Sequence, residues 1–255
     1  MPTLAIDFEF GEVRRFLFNE EVRQGAWVTI QVAVLAQVIG IILGVLFALM
    51  RTSRNPIANG VAGFYVWFFR GTPALLQLFI LYFGVPQLFE SRELTTELTA
   101  FRAAIIAFGV NEGSYMTEIV RAGIQSVEGG QMDAAKSLGM THMQAMRRIV
   151  LPQALRVAVP PTGNEFIAML KNSSLASAIG LVELLGASRL IYSVNFKIME
   201  LLVVAAIWYL AFTTVFSILQ AELERVLAVG QREQPETLFS RMLAIMGGRR
   251  SGDAR

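Results

Sequence analysis

The sequence predicts an all-α integral membrane protein, and three observations lead to this fold class. Hydrophobic residues make up 54% of the 255-residue chain and charged residues only 16%, whereas ordinary soluble domains carry about 25% charged residues. Residues 26–50 contain no charged side chain, and about 20 apolar residues suffice to cross a bilayer as a helix. Polar backbone groups inside lipid must be hydrogen-bonded within their own segment, so we expect these runs to be helical.

Four more apolar runs follow the first, and we expect five transmembrane helices. The predicted spans are residues 26–50, 57–89, 100–121, 153–180 and 199–221. The second run exceeds the length that a bilayer requires and is interrupted by the sequence RGTP at 70–73, so it is tilted, bent at Pro73 or partly laid in the interface. The third and fourth runs carry acidic and amide side chains, which a span tolerates where it faces protein or water. These two helices therefore predict a path for a polar substrate.

Lysine and arginine placement predicts the orientation. If the loop after the first span is cytoplasmic, thirteen basic residues lie inside and seven outside, as the positive-inside rule favours. We then expect an extracytoplasmic N-terminal segment (1–25), a transmembrane domain (26–222) and a cytoplasmic C-terminal tail (223–255). Residues 4–23 suit a helix or a strand on the outer surface. Residues 235–247 of the tail predict either an amphipathic helix or a frayed end.

Composition also argues against several functions. The chain has no cysteine, one histidine and no G-x-S-x-G motif, so we expect no disulfide, no metal site and no catalytic residue of a hydrolase. A net charge of +2 without a basic stripe argues against nucleic-acid binding. A secondary transporter or channel for amino acids would share the polar helices and stays open as an alternative, although no internal repeat is evident. Glu165, a carboxylate within the fourth run, argues against a purely structural membrane subunit.

The polar stretch GGQMDAAKSLGMTHMQAMRRIVLP, residues 129–152, interrupts the apolar runs. It predicts a short helix over 131–138, a turn at Gly139, and a second helix from a Thr141 cap to Ile149. Pro152 would then begin the fourth span. We call residues 129–150 the foot. Such a foot either docks on a partner or packs against its own bundle.

The spacing within the foot resembles the EAA loop of permease subunits of bacterial ABC importers, EAA-x3-G-x9-I-x-LP, with Asp133 in place of the glutamate. Further segments resemble the polar amino-acid uptake (His/Glu/Gln-type) branch of these permeases, and the likeness spans about residues 24–230. These segments are RGTPALLQLFILYFG (70–84), EIVRAGIQSV (118–127), LPQALRVAVPPTGNEF (151–166) and LKNSSLASAIGLVEL (170–184). The resemblance implies the type I ABC importer permease fold in a bacterial cell (inner) membrane.

The resemblance also implies partners. The foot, within a coupling loop of about residues 123–151, would act as a coupling helix on a cytoplasmic ABC ATPase dimer, which would bind ATP and Mg²⁺. This chain has no G-x4-G-K-[ST] motif and therefore no cofactor of its own is expected. A second permease, identical or homologous, would complete the path, and an extracytoplasmic amino-acid-binding protein would deliver the substrate. The expected coupling residues are Asp133, Ala134, Ala135, Leu138, Gly139, Met143, Met146 and Arg147.

Substrate contact is expected on the fourth span. Glu165 and Asn172 are seven residues apart and so share one helix face. A carboxylate in a membrane needs a partner, which is either the α-ammonium of an amino acid or a neighbouring helix. In relatives of this chain the corresponding segments line the pathway, which adds Asn164 and Ser173 to the expected contacts. Relatives that transport cationic amino acids often carry an aspartate at the position of Asn172. The amide in this chain lacks that negative charge, so we expect an acidic or neutral polar substrate such as glutamate, aspartate or glutamine.

Overall fold

The computed structural model describes residues 8–90, 92–127 and 129–227, and within them the chain is helical without a strand. Short π-helical turns lie at Ile80–Gly84 and Met146–Val150, and a 3₁₀ helix lies at Ser173–Ile179. The α-helices are α1 (Phe10–Leu17), α2 (Glu20–Thr52), α3 (Pro56–Gly71), α4 (Ala74–Phe79), α5 (Val85–Leu88), α6 (Arg92–Glu97), α7 (Ala100–Gln125), α8 (Gly129–Ser137), α9 (His142–Ala145), α10 (Leu151–Asn172), α11 (Leu184–Asn195) and α12 (Ile198–Leu227). The predicted tail helix lies outside the described residues.

Helices α2 and α7 form the centre of the fold because glycines let their backbones approach closely. A Cβ atom added to Gly44 would lie 2.2 Å from the Cβ atom of Met116, and one added to Gly109 would lie 2.8 Å from the Cβ atom of Ile39. Small residues spaced four apart on both helices permit such contact where lipid supplies no hydrophobic force. The pair therefore provides a fixed wall against which α3, α10 and α11 pack.

A second hydrophobic cluster joins the N-terminal helix to the last one. Val13 and Phe16 of α1 pack with Val22 of α2 and Leu201 of α12. The predicted outer-surface segment is thus helical where the structure describes it, and it has an apolar face turned towards the bundle. Helix α2 begins at Glu20, so no break in the backbone marks the predicted boundary at residues 25 and 26.

Glu183 connects three helices beneath this cluster. Its carboxylate caps the start of α11 and is fully buried. It accepts four hydrogen bonds, from the backbone N–H groups of Leu185 and Gly186 and from the hydroxyls of Thr29 (3.3 Å) and Tyr209 (2.9 Å). The hydrogen bonds satisfy the buried charge and hold α2, α11 and α12 together.

The second predicted span is bent, which was one of the three alternatives expected from the sequence. The segments Pro56–Gly71 and Ala74–Leu88 meet at 103° across Thr72 and Pro73. The residue before a proline avoids helical backbone angles, and Thr72 is extended with ψ of 145°. Proline therefore separates the two helices at the position expected from the sequence.

Pro152 lies in the first turn of α10, as expected for the start of the fourth span, but the second helix of the foot does not end at Ile149. Helical backbone continues from His142 through the π turn at Met146–Val150 and through α10 to Ile179. Proline lacks an N–H donor but is tolerated in the first turn of a helix, and the π turn places Leu151 N–H on the carbonyl of Met146. The second helix of the foot is consequently a direct extension of the fourth predicted span.

The number of membrane spans stays a prediction. Helices α2 and α12 are each long and apolar enough to cross a membrane, and two bent helix pairs meet the same criterion only when each is joined as one span. The joined pairs are Pro56–Gly71 with Ala74–Leu88, and His142–Ile179 with Leu184–Asn195. Helix α7 is a continuous 26-residue helix and is long enough to cross a membrane. Polar residues interrupt it, however, so it is less apolar than α2 and α12.

Candidate functional site

Side chains on two helices hold the bend between α3 and α4. The buried amide of Gln77 donates to the carbonyls of Phe69 (3.0 Å) and Thr72 (3.1 Å). Asn111 of α7 donates to the same Phe69 carbonyl (2.9 Å) and to the Gln77 side chain (3.1 Å). Backbone carbonyls that the bend frees are thereby satisfied, as burial requires. Arg70, which precedes the bend, makes none of these bonds.

The bend forms one wall of an open polar cleft of about 480 Å³. Helices α7 and α10 form the other walls. Glu165 and Asn172 both line this cleft, so the structure brings together the two residues predicted to share a face. The lining residues are Arg70, Gly71, Thr72, Pro73, Ala74, Asn111, Glu112, Tyr115, Glu165 and Asn172.

Arg70 supplies the positive charge of the cleft. Its guanidinium lies over the ring of Tyr115, with 5.1 Å between the guanidinium carbon and the ring centroid, which is within the range of a cation–π interaction. It also attracts the Glu165 carboxylate electrostatically. Among the described residues neither side chain forms a hydrogen bond or a close ion pair, so both remain able to bind a charged ligand.

The other two expected contact residues lie elsewhere. Asn164 is exposed and accepts a hydrogen bond from Gln220 of α12 at 3.2 Å. Ser173 is fully buried and donates to the carbonyl of Leu170 at 2.8 Å. The 3₁₀ helix that follows Asn172 turns Ser173 into the core. Neither side chain lines the cleft in this conformation.

Three polar residues of the site were not expected there. No role in the site was predicted for Arg70, Gln77 or Asn111. Their sequence signal was a long polar side chain within an apolar run, which requires a buried partner. The pairing itself depends on which helices are neighbours, and the sequence does not show this.

Gly139 ends helix α8 through backbone conformation. Its φ angle is +80°, a left-handed conformation that favours glycine. The N–H of Gly139 bonds to the carbonyl of Lys136 and the N–H of Met140 to that of Ala135, which together form a Schellman motif. A Cβ atom at Gly139 would meet nothing within 4 Å, so the requirement for glycine comes from φ alone.

The foot has a packed interior and an exposed tip. Ala135 and Ala145 are buried where α8 packs against α9. Thr141 and Gln144 form a capping box at the start of α9, which satisfies two of its free N–H groups. The expected coupling residues therefore divide into one buried packing residue, Ala135, one half-buried residue and six exposed residues. Met146 is half-buried, and the exposed residues are Asp133, Ala134, Leu138, Gly139, Met143 and Arg147.

Large apolar side chains lie exposed at this tip. Leu138 is 84% exposed and Met143 is 72% exposed. At its base the foot is anchored, since Gln153 of α10 donates to the side chain of Gln131 and Gly123 lies against the carbonyl of Ala154. A displacement of the tip would therefore be transmitted to α10, which carries Glu165.

Comparison with known proteins identifies the family. A family described as the binding-protein-dependent transport system inner membrane component matches residues 40–229. The chain is 42% identical over 241 residues to the arginine transport system permease of Corynebacterium glutamicum, covering 91% of this chain and 75% of that one. It is 38% identical to an L-cystine transport system permease of Bacillus subtilis, covering 74% and 80%.

A solved structure shows the same fold. A chain of an amino acid ABC transporter crystallised with histidines superposes with a TM-score of 0.75 at 39% identity, covering 81% of this chain and 94% of that chain. The expected all-α architecture of a type I ABC importer permease is confirmed, as is the absence of an ATPase role. Family membership implies a separate ATPase and a second permease. The chain belongs to the family of binding-protein-dependent, amino-acid ABC transporter permeases.

Proposed function

We propose that this permease moves a zwitterionic polar amino acid through the cleft between α3, α7 and α10. The observation that carries the proposal is the meeting of Arg70, Glu165 and Asn172 in one cleft of about 480 Å³. The guanidinium would bind the substrate α-carboxylate and the carboxylate of Glu165 would bind the α-ammonium. Asn172 would hydrogen-bond the substrate side chain.

The charges favour one of the expected substrates over the other two. Glutamate and aspartate carry a second carboxylate, but Arg70 is the only basic residue among those that line the described cleft. Glutamine has an uncharged amide that the amide of Asn172 can both donate to and accept from. We therefore rank glutamine first among glutamine, glutamate and aspartate.

Uptake by proteoliposomes containing the permease, its ATPase and its binding protein tests this proposal. Glutamine should compete best for uptake, and arginine outcompeting both glutamine and glutamate would reject the assignment. Glu165→Gln should weaken substrate binding roughly ten- to hundredfold, because hydrogen bonds to charged groups contribute about 1.5–3 kcal/mol. Glu222→Gln, at an exposed glutamate of α12, is the matched control and should retain uptake.

The foot would couple this movement to ATP hydrolysis in the separate ATPase, which would hold ATP and Mg²⁺. The exposed Leu138 and Met143 offer apolar contacts of adaptable shape, and the exposed Arg147 offers a charge for an acidic partner. This arrangement is consistent with a cytoplasmic foot, an extracytoplasmic N-terminus and a cytoplasmic C-terminus in a bacterial inner membrane. The extracytoplasmic binding protein would then meet the opposite side of the bundle.

Uncoupling variants test the role of the foot. Ala135→Asp places a charge in the buried contact between α8 and α9, and Gly139→Pro removes the N–H donor that closes α8. Both variants should insert normally but lose ATP-driven uptake. Gln87→Asp, at an exposed position outside the coupling loop, should keep it. Full uptake in the two foot variants would contradict the proposed coupling.

A further inference from the structure

Two of the buried glutamates of the described bundle, Glu183 and Glu112, have opposite surroundings. Glu183 accepts four hydrogen bonds from hydroxyl and backbone donors, an arrangement suited to an ionised carboxylate. Glu112 is 3% exposed, and its Oε1 atom is buried without a hydrogen-bond partner. Hydrogen-bond donors therefore surround the carboxyl group of Glu183, whereas the buried oxygen of Glu112 has none.

Gln37 of α2 has a matching deficiency. Its side chain is 6% exposed, and its Oε1 atom is also buried without a partner. Its amide nitrogen donates to the sulfur of Met116, at 3.5 Å, and a thioether is a weak acceptor. Gln37 stands one helical turn before Gly40, against which Glu112 rests, so the two side chains are neighbours. An acid and an amide are thus buried near one another, and each has an oxygen that lacks a hydrogen-bond donor, which is costly.

The helix backbone keeps Glu112 in this position. A Cβ atom added to Gly40 would lie 2.5 Å from the Cγ atom of Glu112, so the acid rests directly on α2. Residues 24–50 of α2 contain no ionisable side chain, so this helix provides no cation. The ionisable groups near Glu112 are Tyr65 and Arg70 of α3, Tyr115 of its own helix α7, and Glu165 of α10.

These groups do not satisfy the acid either. Tyr65 donates its hydroxyl hydrogen to the carbonyl of Val110 at 2.6 Å. Arg70 lies over the ring of Tyr115 and forms no close ion pair with Glu112 in the described part of the chain. Glu165 carries a charge of the same sign. A hydrogen on Glu112 itself removes the charge that none of these groups compensates.

We propose that Glu112 is a protonated, specificity-determining residue. Its carboxyl hydrogen removes a buried negative charge beside the cleft and leaves Arg70 and Glu165 as the charged groups that face the substrate. One cation and one anion match a zwitterion with an uncharged side chain. An ionised Glu112 would add a second negative charge and favour a basic amino acid. The selectivity part of this proposal rests on the proposed function, whereas the protonation part does not.

Infrared difference spectroscopy tests the protonation directly. The sample is the permease with its ATPase in lipid nanodiscs, and the spectrum of Glu112→Gln is subtracted from that of the wild type at neutral pH. We expect the carbonyl stretching band of a protonated carboxylic acid. Glu183→Gln is the matched control, and its difference spectrum should show carboxylate bands instead. If that variant does not fold, Glu118→Gln provides the same reference, because Glu118 is ion-paired with Arg121 at 2.5 Å. Carboxylate bands in the Glu112 spectrum would overturn the proposal.

Transport selectivity provides a readout that a merely structural role would not change. In wild-type proteoliposomes, raising the pH should increase the uptake of arginine relative to glutamine several-fold, as Glu112 loses its hydrogen and gains charge. The ratio should stay flat in Glu112→Gln. The same pH dependence in both proteins would refute the role in specificity. If Glu165→Gln transports normally while the acid band is present, the proposed substrate site fails and the protonation of Glu112 stands.

Discussion

Replacing Gln77 with leucine should open the bend that forms one wall of the cleft. The two side chains are similar in volume, so the change removes polar contacts with little change in packing. Phe69 keeps its bond from Asn111. The Thr72 carbonyl loses its bond from the Gln77 amide, and Asn111 loses an acceptor.

The expected loss of stability follows from these two half-buried polar groups. Each group left without a partner costs about 1–3 kcal/mol, and some relaxation of the bend will recover part of this, so we expect a net loss of about 2–4 kcal/mol. For a domain of this size, about 1 kcal/mol corresponds to a shift of roughly 2–4 °C in the midpoint of thermal unfolding. The variant should therefore unfold about 5–15 °C below the wild type.

Thermal unfolding of the purified permease in detergent measures this shift, and proteoliposome uptake measures its effect on the cleft. Gln87→Leu is the matched control, since Gln87 is exposed in the same bent segment and should leave the unfolding midpoint unchanged. Equal midpoints for Gln77→Leu and the wild type would show that the bend does not depend on this amide. Reduced stability with unaltered uptake would show that the bend does not shape the substrate path.

The remaining predictions concern glycines and the Glu183 cluster. Gly44→Ala should destabilise the permease by about 1–3 kcal/mol through overpacking against Met116, whereas Gly60→Ala meets nothing within 4 Å and should be neutral in the same unfolding assay. Gly139→Ala should cost about 1–2 kcal/mol because its φ is positive, and an unchanged midpoint would contradict the Schellman closure. Tyr209→Phe removes one donor to a buried carboxylate and should cost about 1.5–3 kcal/mol. An unfolding midpoint no lower than that of the neutral variant Gly60→Ala would argue against an ionised Glu183.

Much of the fold could be predicted because membrane helices follow directly from long apolar runs. The bend at Pro73 was one of the expected alternatives and the turn at Gly139 was expected, and the structure contains both. These features are local, since they depend on the backbone angles or spacing of residues close together in the chain. The continuation of helix through Pro152 was not expected, because a π turn can accommodate a proline without a sequence signal.

The substrate site could be predicted only in part. Glu165 and Asn172 share a helix face, and seven residues of spacing are enough to infer this. Ser173 was misplaced relative to the cleft because the helix tightens to 3₁₀ geometry directly after Asn172, which changes the direction of the next side chain. Asn164 lies against Gln220, and a contact between α10 and α12 leaves no trace in spacing.

The linear order of residues was therefore sufficient for the helices, their polar interruptions and the geometry of the foot, because hydrophobic runs, proline and glycine act over short distances. The folded bundle alone decided that Arg70 faces Glu165, that Gln77 and Asn111 hold the bend, and that Glu112 and Gln37 are buried together. Each of these pairings joins residues distant in sequence, and which helices become neighbours depends on the packing of the whole bundle, above all on the close approach of α2 and α7 at their glycines.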